Sequence, residues 1–159
     1  MIFITGGLGY LGARISESLC KAGELVRIGS SRKEIRLPYT LNNCEIVHTN
    51  FFQDDSLKEA CKDVKTVIHL ASMNAQDCEN NPEQAKMLNG YGTLNLINAA
   101  RNEGIKKFIY FSSIHVYGNK LTGEINEDSL TRPNHPYATT RLVAENFVRK
   151  INNDNSCMQ

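Results

Sequence analysis

Three glycines at three-residue spacing constrain the fold of this chain more than any other feature. Gly6, Gly9 and Gly12 directly follow an apolar run at residues 2–5, which predicts a buried strand, and they open an amphipathic segment at residues 11–22, which predicts a helix. We expect Gly6 to allow a sharp turn, Gly9 to let a ligand approach the backbone, and Gly12 to let the helix pack closely on a sheet. The N–H groups at such a helix N-terminus bind phosphates, so the position of the motif predicts a phosphate-binding loop.

Short apolar runs alternate with longer amphipathic segments along the rest of the chain, a pattern typical of βαβ units. The predicted strands cover residues 2–5, 24–28, 44–49, 64–70 and 107–112, and the predicted helices cover residues 11–22, 55–63, 82–102 and 137–151. With right-handed crossovers these elements give an α/β fold, a Rossmann-type doubly wound parallel sheet in the strand order 3-2-1-4-5. Ligands bind beyond the carboxyl ends of the strands of such a sheet, where the order reverses, so we expect the site there.

Length and composition limit the classes of protein that fit. The 159 residues suffice for one domain, which we place at residues 1–151, followed by a polar tail at residues 152–159. A net charge of +1, with scattered basic residues, argues against a nucleic-acid partner. The absence of a long apolar run or a charged leader predicts no membrane segment and a cytoplasmic location. Five cysteines without a C-x-x-C pair predict reduced thiols rather than a metal site or a disulfide framework.

Four motifs follow one another in an order and spacing that resemble those of a known family. They are Thr5-Gly6-Gly7-Leu8-Gly9-Tyr10-Leu11-Gly12, Val67-Ile68-His69-Leu70-Ala71, Asn89-Gly90-Tyr91-Gly92-Thr93 and Phe111-Ser112-Ser113-Ile114-His115-Val116-Tyr117-Gly118. With them the chain resembles the extended short-chain dehydrogenase/reductases, the nicotinamide-dependent sugar-nucleotide epimerases and dehydratases, from Met1 to about Arg149. Relatives continue into a substrate lobe, which we expect to be missing here.

The resemblance implies roles for residues at matching positions. Ser113 corresponds to the catalytic Ser or Thr that hydrogen-bonds the reacting sugar oxygen, and Tyr137 to the catalytic Tyr that acts as acid or base. Arg141 stands where the family has a Lys, which holds the nicotinamide ribose and favours the ionised Tyr. Arginine keeps the charge but spreads it over a broad planar group, so we expect charge stabilisation to survive better than ribose geometry.

The candidate cofactor site combines the glycine motif with residues after the other strands. Leu70, Ala71 and Ser72 are implied to line the ribose, and Asn89 to order the junction of strand and helix near the site. The full candidate set is Gly6, Gly7, Leu8, Gly9, Tyr10, Leu11, Gly12, Ser31, Arg32, Asn50, Phe51, Leu70, Ala71, Ser72, Asn89, Tyr137 and Arg141. We expect His69, His115 and His135 to be structural residues.

The end of the second strand bears on the choice of cofactor. An acidic residue about 20 positions beyond the glycine loop selects NAD by binding the ribose 2′-hydroxyl. Here Ser30, Ser31 and Arg32 occupy that place, and the next acidic residue is Glu34. Hydroxyls and an arginine suit a 2′-phosphate, so we expect NADP. The alternative is that Arg32 and Lys33 are solvated surface charges, which leaves NAD.

These observations lead to two hypotheses about function. The first is an NAD(P)-dependent epimerase or dehydratase reaction on a nucleotide sugar, by hydride transfer with Ser113 and Tyr137. The second is a non-catalytic NAD(P)-binding or interaction module, a truncated homologue or pseudoenzyme. We expect the chain alone to bind cofactor and to turn over nucleotide sugars slowly or not at all. Because relatives pair through the helices at residues 82–102 and 137–151, we also expect a homodimer.

Overall fold

The computed structural model describes residues 1–32 and 34–153 and contains a five-stranded parallel sheet. Its strands are β1 (Ile2–Thr5), β2 (Val26–Ser30), β3 (Glu45–His48), β4 (Thr66–His69) and β5 (Lys107–Tyr110). Their order is β3-β2-β1-β4-β5, which confirms the predicted fold and strand order. Lys33, Cys157 and most of the predicted tail, residues 154–159, lie outside the described residues.

Helices cover both faces of this sheet. They are α1 (Tyr10–Lys21), α2 (Asp54–Cys61), α3 (Ala75–Asn80), α4 (Pro82–Ala85), α5 (Thr93–Asn102) and α6 (Pro136–Asn153). On one face, Leu57 of α2 and Leu96 of α5 pack against Phe3 in the central strand. On the other face, α1 covers Ile4 and Ile28. The alternation of side chains along β1 therefore supplies both cores, as expected for a doubly wound sheet.

The predicted helix at residues 82–102 is continuous but not uniformly α-helical. A π-helical segment (Lys86–Gly92) lies between α4 and α5, and both junction residues keep helical dihedral angles, with Lys86 at φ −58° and Thr93 at φ −63°. Such segments often occur at functional sites. Here the segment carries the buried Asn89, whose contacts are described below.

Helix α3 was not predicted. It begins at Asn74, whose side-chain oxygen accepts a hydrogen bond from the Asp77 N–H at 2.9 Å. This is an ordinary N-cap, and Asn74 could have been recognised as one. The helix has six residues, too few for its hydrophobic periodicity to be visible.

Residues 1–32 and 34–153 contain no helix that is long and apolar enough to cross a membrane. No group of three or more His, Cys, Asp or Glu side chains converges there as a metal site would require. Cys20, Cys44, Cys61 and Cys78 are free thiols.

Candidate functional site

The glycine motif forms a tight turn between β1 and α1. Gly6 has a positive φ of 69°, and a Cβ there would lie 2.9 Å from the Ala71 nitrogen. The N–H of Gly9 donates to the Gly6 carbonyl at 2.9 Å, which closes the turn. A Cβ on Gly12 would collide with the Gly6 carbonyl oxygen. Gly9 is the N-cap of α1 and no side chain caps this end, so the first-turn N–H groups are available to a phosphate.

An open cleft of about 560 Å³ lies beside this turn, at the carboxyl ends of four strands. Many of the predicted cofactor residues line it: Gly6, Leu8 and Gly9 after β1, Ser31 and Arg32 after β2, Asn50 and Phe51 after β3, and Ala71 and Ser72 after β4. The four loops meet where the strand order reverses, as the doubly wound topology requires. The cleft has the size and the shape of a ligand site.

Some residues of the cleft were missed by sequence reasoning. Gly29, His48, Thr49, Phe52 and Leu88 also line it, together with Ser30, which the sequence placed with Ser31 and Arg32 at the end of the second strand. Gly29, His48 and Thr49 lie at the ends of β2 and β3, and the rule that placed the site at carboxyl strand ends could have included them. Leu88 belongs to the π-helical segment, and nothing in its sequence context marks it.

Other predicted residues do not line this cleft. Gly7 is buried, and a Cβ there would meet the side chain of Ile28. Tyr10 is 80% exposed beneath the guanidinium of Arg14, and Leu11 is also exposed. Any contribution of Tyr10 and Leu11 to phosphate binding therefore comes from their backbone N–H groups. Gly12, Leu70, Asn89, Ser113, Tyr137 and Arg141 likewise lie outside the cleft lining.

A buried hydrogen-bond network starts at the end of β1. The Thr5 Oγ1 accepts from the N–H groups of Leu70 and Ala71, so its own proton is donated to His69 Nδ1 at 2.6 Å. His69 Nε2 then donates to Thr93 Oγ1 at 2.9 Å, and Thr93 donates to the Asn89 carbonyl at 2.7 Å. Complete burial, followed by the charge of Arg141, lowers the pKa of His69 to about 3. His69 is therefore a neutral structural residue, as its surroundings require.

The side chain of Asn89 extends this network to α6. Its Oδ1 accepts from the Met73 N–H at 2.8 Å, and its Nδ2 donates to Thr140 Oγ1 at 3.1 Å. Thr140 in turn donates to the Tyr137 carbonyl at 2.9 Å. Asn89 thus ties the segment after β4 to the turn of α6 that carries Tyr137. Fully satisfied buried networks of this kind hold one arrangement of backbone rigidly.

Tyr137 lies in a cluster of aromatic rings with two histidines. Its ring is stacked on His135 at 6.1 Å between centroids and meets His115 edge-on at 6.2 Å. The His115 N–H donates to Ser113 Oγ at 3.3 Å. His135 Nδ1 accepts from the Ala138 N–H at 3.4 Å and so caps α6. Ser113 and Tyr137 are therefore neighbours of the same residue, His115, at the carboxyl edge of the sheet.

Arg141 is buried behind Tyr137, with 3% of its surface exposed. Its guanidinium carbon lies 4.7 Å from the ring centre of Tyr110 and 5.8 Å from that of Tyr137. Its Nε and Nη1 are buried without a hydrogen-bond partner. Burial raises the pKa of the Tyr110 hydroxyl, and the Arg141 charge opposes that rise. Burying a cation whose N–H donors have no acceptor lowers the stability of the fold. The described residues provide no acceptor for Nε and Nη1 of Arg141.

Comparison with known proteins identifies the family to which this chain belongs. Residues 2–158 match the NAD dependent epimerase/dehydratase family. The chain belongs to this family. It is 30% identical to a UDP-glucose 4-epimerase of Dictyostelium discoideum and 32% identical to a dTDP-D-glucose 4,6-dehydratase of Mus musculus, over 94% and 93% of its own length.

A solved structure shows the same fold. A short-chain dehydrogenase/reductase superfamily protein from Agrobacterium tumefaciens with bound NAD superposes with a TM-score of 0.86, at 27% identity, over the full length of this chain and 47% of its own. The curated relatives are matched over 46% and 45% of their lengths. The chain thus spans a little under half the length of these proteins.

Proposed function

We propose that the cleft binds a nicotinamide dinucleotide for epimerase- or dehydratase-type chemistry on a nucleotide sugar. The observation that carries this proposal is the convergence of four strand-end loops on one cleft beside an uncapped helix N-terminus. The residues fit the cofactor, because Gly6 permits the sharp turn that places the helix N-terminus at the cleft, and the exposed Gly9 has no side chain where the pyrophosphate must approach the backbone. The names of the UDP-glucose and dTDP-glucose relatives supply the substrate class.

The cofactor that suits this cleft best is NADP. None of the described residues that line the cleft is acidic, whereas Arg32 is among them. The Arg32 N–H donates to Ser30 Oγ at 3.1 Å, which fixes the turn that carries Arg32. An arginine with two serine hydroxyls can bind a 2′-phosphate through charge-assisted hydrogen bonds, while no carboxylate is present there to select the 2′-hydroxyl of NAD.

Catalysis is assigned to Ser113 and Tyr137. A bound nicotinamide supplies the acceptor and donor of hydride in this family. Ser113 hydrogen-bonds the sugar oxygen, and Tyr137 takes its proton or returns it. The Arg141 cation beneath the ring of Tyr137 stabilises the tyrosinate that forms. A contact from its buried Nε or Nη1 to the nicotinamide ribose requires this side chain to turn toward the cleft when the cofactor binds.

A non-catalytic cofactor-binding module is the second candidate. The observation in its favour is the burial of Arg141, whose guanidinium packs on Tyr110 and does not line the cleft. Both candidates bind cofactor, so binding does not separate them. They differ in whether a nucleotide sugar can reduce the bound cofactor.

One experiment separates the two. The purified chain is saturated with NADP⁺ or NAD⁺, mixed with UDP- and dTDP-hexoses, and followed by absorbance of the reduced nicotinamide. The enzyme hypothesis expects reduction, however slow, that disappears in Tyr137→Phe while cofactor binding is retained. Binding without any reduction supports the module. Reduction that persists in Tyr137→Phe contradicts the assignment of the acid/base.

We further propose a homodimer through the helices at residues 82–102 and 137–151. The core takes up part of the apolar surface of these helices, since Leu96 and Ile97 are fully buried. Three apolar side chains remain exposed on them: Met87 at 47%, Tyr91 at 54% and Val143 at 39%. They belong to neighbouring turns, because a Cβ on Gly90 would contact Val143 at 3.7 Å. A contiguous apolar face of this kind is suited to a two-fold contact with a second copy.

A further inference from the structure

Two cysteines lie in contact on the face of the sheet that α1 covers. The sulfur of Cys20 in α1 and that of Cys44, just before β3, are 3.2 Å apart. The bond length of a disulfide is about 2.05 Å, so an approach of about 1.2 Å would join them. We propose that Cys20 and Cys44 are a reversible oxidation site that forms an intramolecular disulfide in the presence of a peroxide. This inference is independent of the proposed cofactor chemistry.

The environment distinguishes this pair from the other described thiols. Cys61 belongs to the core cluster on the opposite face of the sheet. Cys78 accepts a hydrogen bond from Asn89 Nδ2 at 3.4 Å and donates to the Met73 carbonyl at 3.6 Å. Among the described cysteines, Cys20 and Cys44 alone have a second thiol within bonding reach, so oxidation is expected to be selective.

Exposure and acidity assign different tasks to the two sulfurs. Cys20 is half-buried, whereas Cys44 is 8% exposed. Burial, and then the hydrogen bond and charge of Cys20, raise the pKa of Cys44 to about 12. Because thiolates are the species that attack peroxides, Cys20 is expected to react first and Cys44 to resolve the product.

The chemistry balances without a metal or a further reductant. The Cys20 thiol reacts with hydrogen peroxide to give a sulfenic acid and one water. The Cys44 sulfur then displaces the hydroxyl from Cys20, and its proton leaves with that hydroxyl as a second water. Two thiols are oxidised by two electrons, and one peroxide is reduced to two waters. A dithiol such as dithiothreitol reverses the modification by exchange.

We expect the disulfide to raise the stability of the fold and to leave the cleft open. It closes a loop of 24 residues, and cross-links of that span stabilise mainly by restricting the unfolded chain. The bond would join the end of α1 to the beginning of β3. The cleft residues lie at the other ends of both elements, with Gly9 before α1 and Asn50 after β3.

The test uses the full chain with Cys157→Ser, which removes disulfides between molecules through that position. After treatment with one equivalent of hydrogen peroxide, free thiols are blocked with N-ethylmaleimide and the tryptic peptides are analysed by mass spectrometry without reduction. We expect peptides 15–21 and 37–58 to be linked by a disulfide that dithiothreitol removes. The melting temperature should rise by about 5–10 °C on oxidation.

Separate substitutions of Cys20 and Cys44 test whether these two cysteines form the disulfide. Cys20→Ser and Cys44→Ala should each abolish both the linked peptides and the rise in melting temperature, whereas Cys78→Ala should keep the linked peptides. If Cys44→Ala fails to fold, the linked peptides of the unsubstituted pair still decide the question. The proposal is overturned if Cys20 is oxidised while Cys44 remains a free thiol, or if the cross-link joins other cysteines.

Discussion

The guanidinium of Arg141 lies over the ring of Tyr110, 4.7 Å from its centre, and the Tyr110 hydroxyl reaches the Arg141 carbonyl at 3.4 Å. Tyr110 therefore contacts Arg141 twice: its ring packs against the guanidinium, and its hydroxyl donates a hydrogen bond to the backbone carbonyl. A desolvated cation–π contact of this kind contributes about 2 kcal/mol, yet it leaves the Nε and Nη1 of the arginine without a hydrogen-bond partner among the described residues. We expect these two nitrogens to bind a partner other than Tyr110.

The first prediction concerns Arg141→Met. Removing the charge loses the cation–π contact but also relieves the desolvation cost of a buried cation with unpaired donors, so the free energy of unfolding without cofactor should stay within about 1 kcal/mol of the original. Cofactor affinity should fall by about tenfold or more, because hydrogen bonds to a charged donor are lost. Urea unfolding and calorimetric titration measure the two quantities.

Arg149→Met is the matched control for this variant. Arg149 lies on the same helix, more than half exposed, in a surface ion pair with Glu145 at 3.4 Å, so neither quantity should change much. A large loss of stability in Arg141→Met with unchanged cofactor affinity would show that Arg141 is a structural residue.

Arg141→Lys should increase any turnover, since a compact ammonium can reach both the ring of Tyr137 and the ribose.

The second prediction concerns pH and His69. Its pKa is about 3 in the folded chain and about 6.5 when unfolded. Below pH 6.5 the unfolded chain therefore binds a proton that the folded chain does not. The free energy of unfolding should fall by about 1.4 kcal/mol per pH unit between pH 6 and 4 from this residue alone.

Urea unfolding at several pH values checks this contribution. In His69→Gln, which has no titratable ring, the curve of stability against pH should become flatter over that range. His48→Gln is the control, because His48 is exposed and ends β3. An equally steep curve in His69→Gln would mean that other groups cause the acid sensitivity.

The third prediction concerns Arg32. If Arg32 binds a 2′-phosphate, Arg32→Asp should weaken NADPH binding by about tenfold or more and leave or improve NADH binding. Fluorescence titration with both nucleotides measures the change. Arg36→Asp makes the same charge change at an exposed residue outside the cleft, and it should leave the ratio of the two affinities near its original value.

Much of the fold and of the candidate cleft could be predicted from the sequence. The glycine motif and the apolar runs specify β1, α1 and the strand order, because buried parallel strands read as short apolar runs. The position of Asn89 in its motif indicated a role near the strand end. Its partner Thr140 could not be foreseen, since their contact joins residues 51 apart in sequence.

Two features could not be predicted from the sequence, because they depend on packing in three dimensions. The burial of Arg141 follows from the position of Tyr110 on β5, a residue that no motif singles out. The sulfur contact between Cys20 and Cys44 arises from the way α1 crosses the sheet, and not from their spacing. The cysteine count alone predicted reduced thiols and gave no indication that two of them lie in contact.

The fourth prediction concerns association. Sedimentation at tens of micromolar, about the concentration at which an interface of standard size is occupied, should show a dimer. Tyr91→Lys should shift it towards monomer by placing a charge on the exposed apolar face. Leu25→Lys is the control, because Leu25 is 67% exposed just before β2 and belongs to neither helix. A monomer at that concentration would exclude the proposed contact.

We propose that the glycine loop and its cleft bind a nicotinamide dinucleotide, and the substitution Gly9→Val tests this binding. Gly9 has a φ of −77° and is exposed, so valine can adopt its backbone dihedral angles, with its Cβ 3.2 Å from the Gly6 carbonyl oxygen, and its side chain fills the space where the pyrophosphate must approach. Gly90→Ala is the control, since its added methyl meets Val143 at an ordinary 3.7 Å outside the cleft.

The measurement is a calorimetric titration of the three proteins with NADPH and NADH, after circular dichroism has shown that all are folded. The original chain and Gly90→Ala should bind both nucleotides, NADPH more tightly, whereas Gly9→Val should bind neither. Equal binding by a folded Gly9→Val, or no binding of either nucleotide by the original chain, would contradict the account.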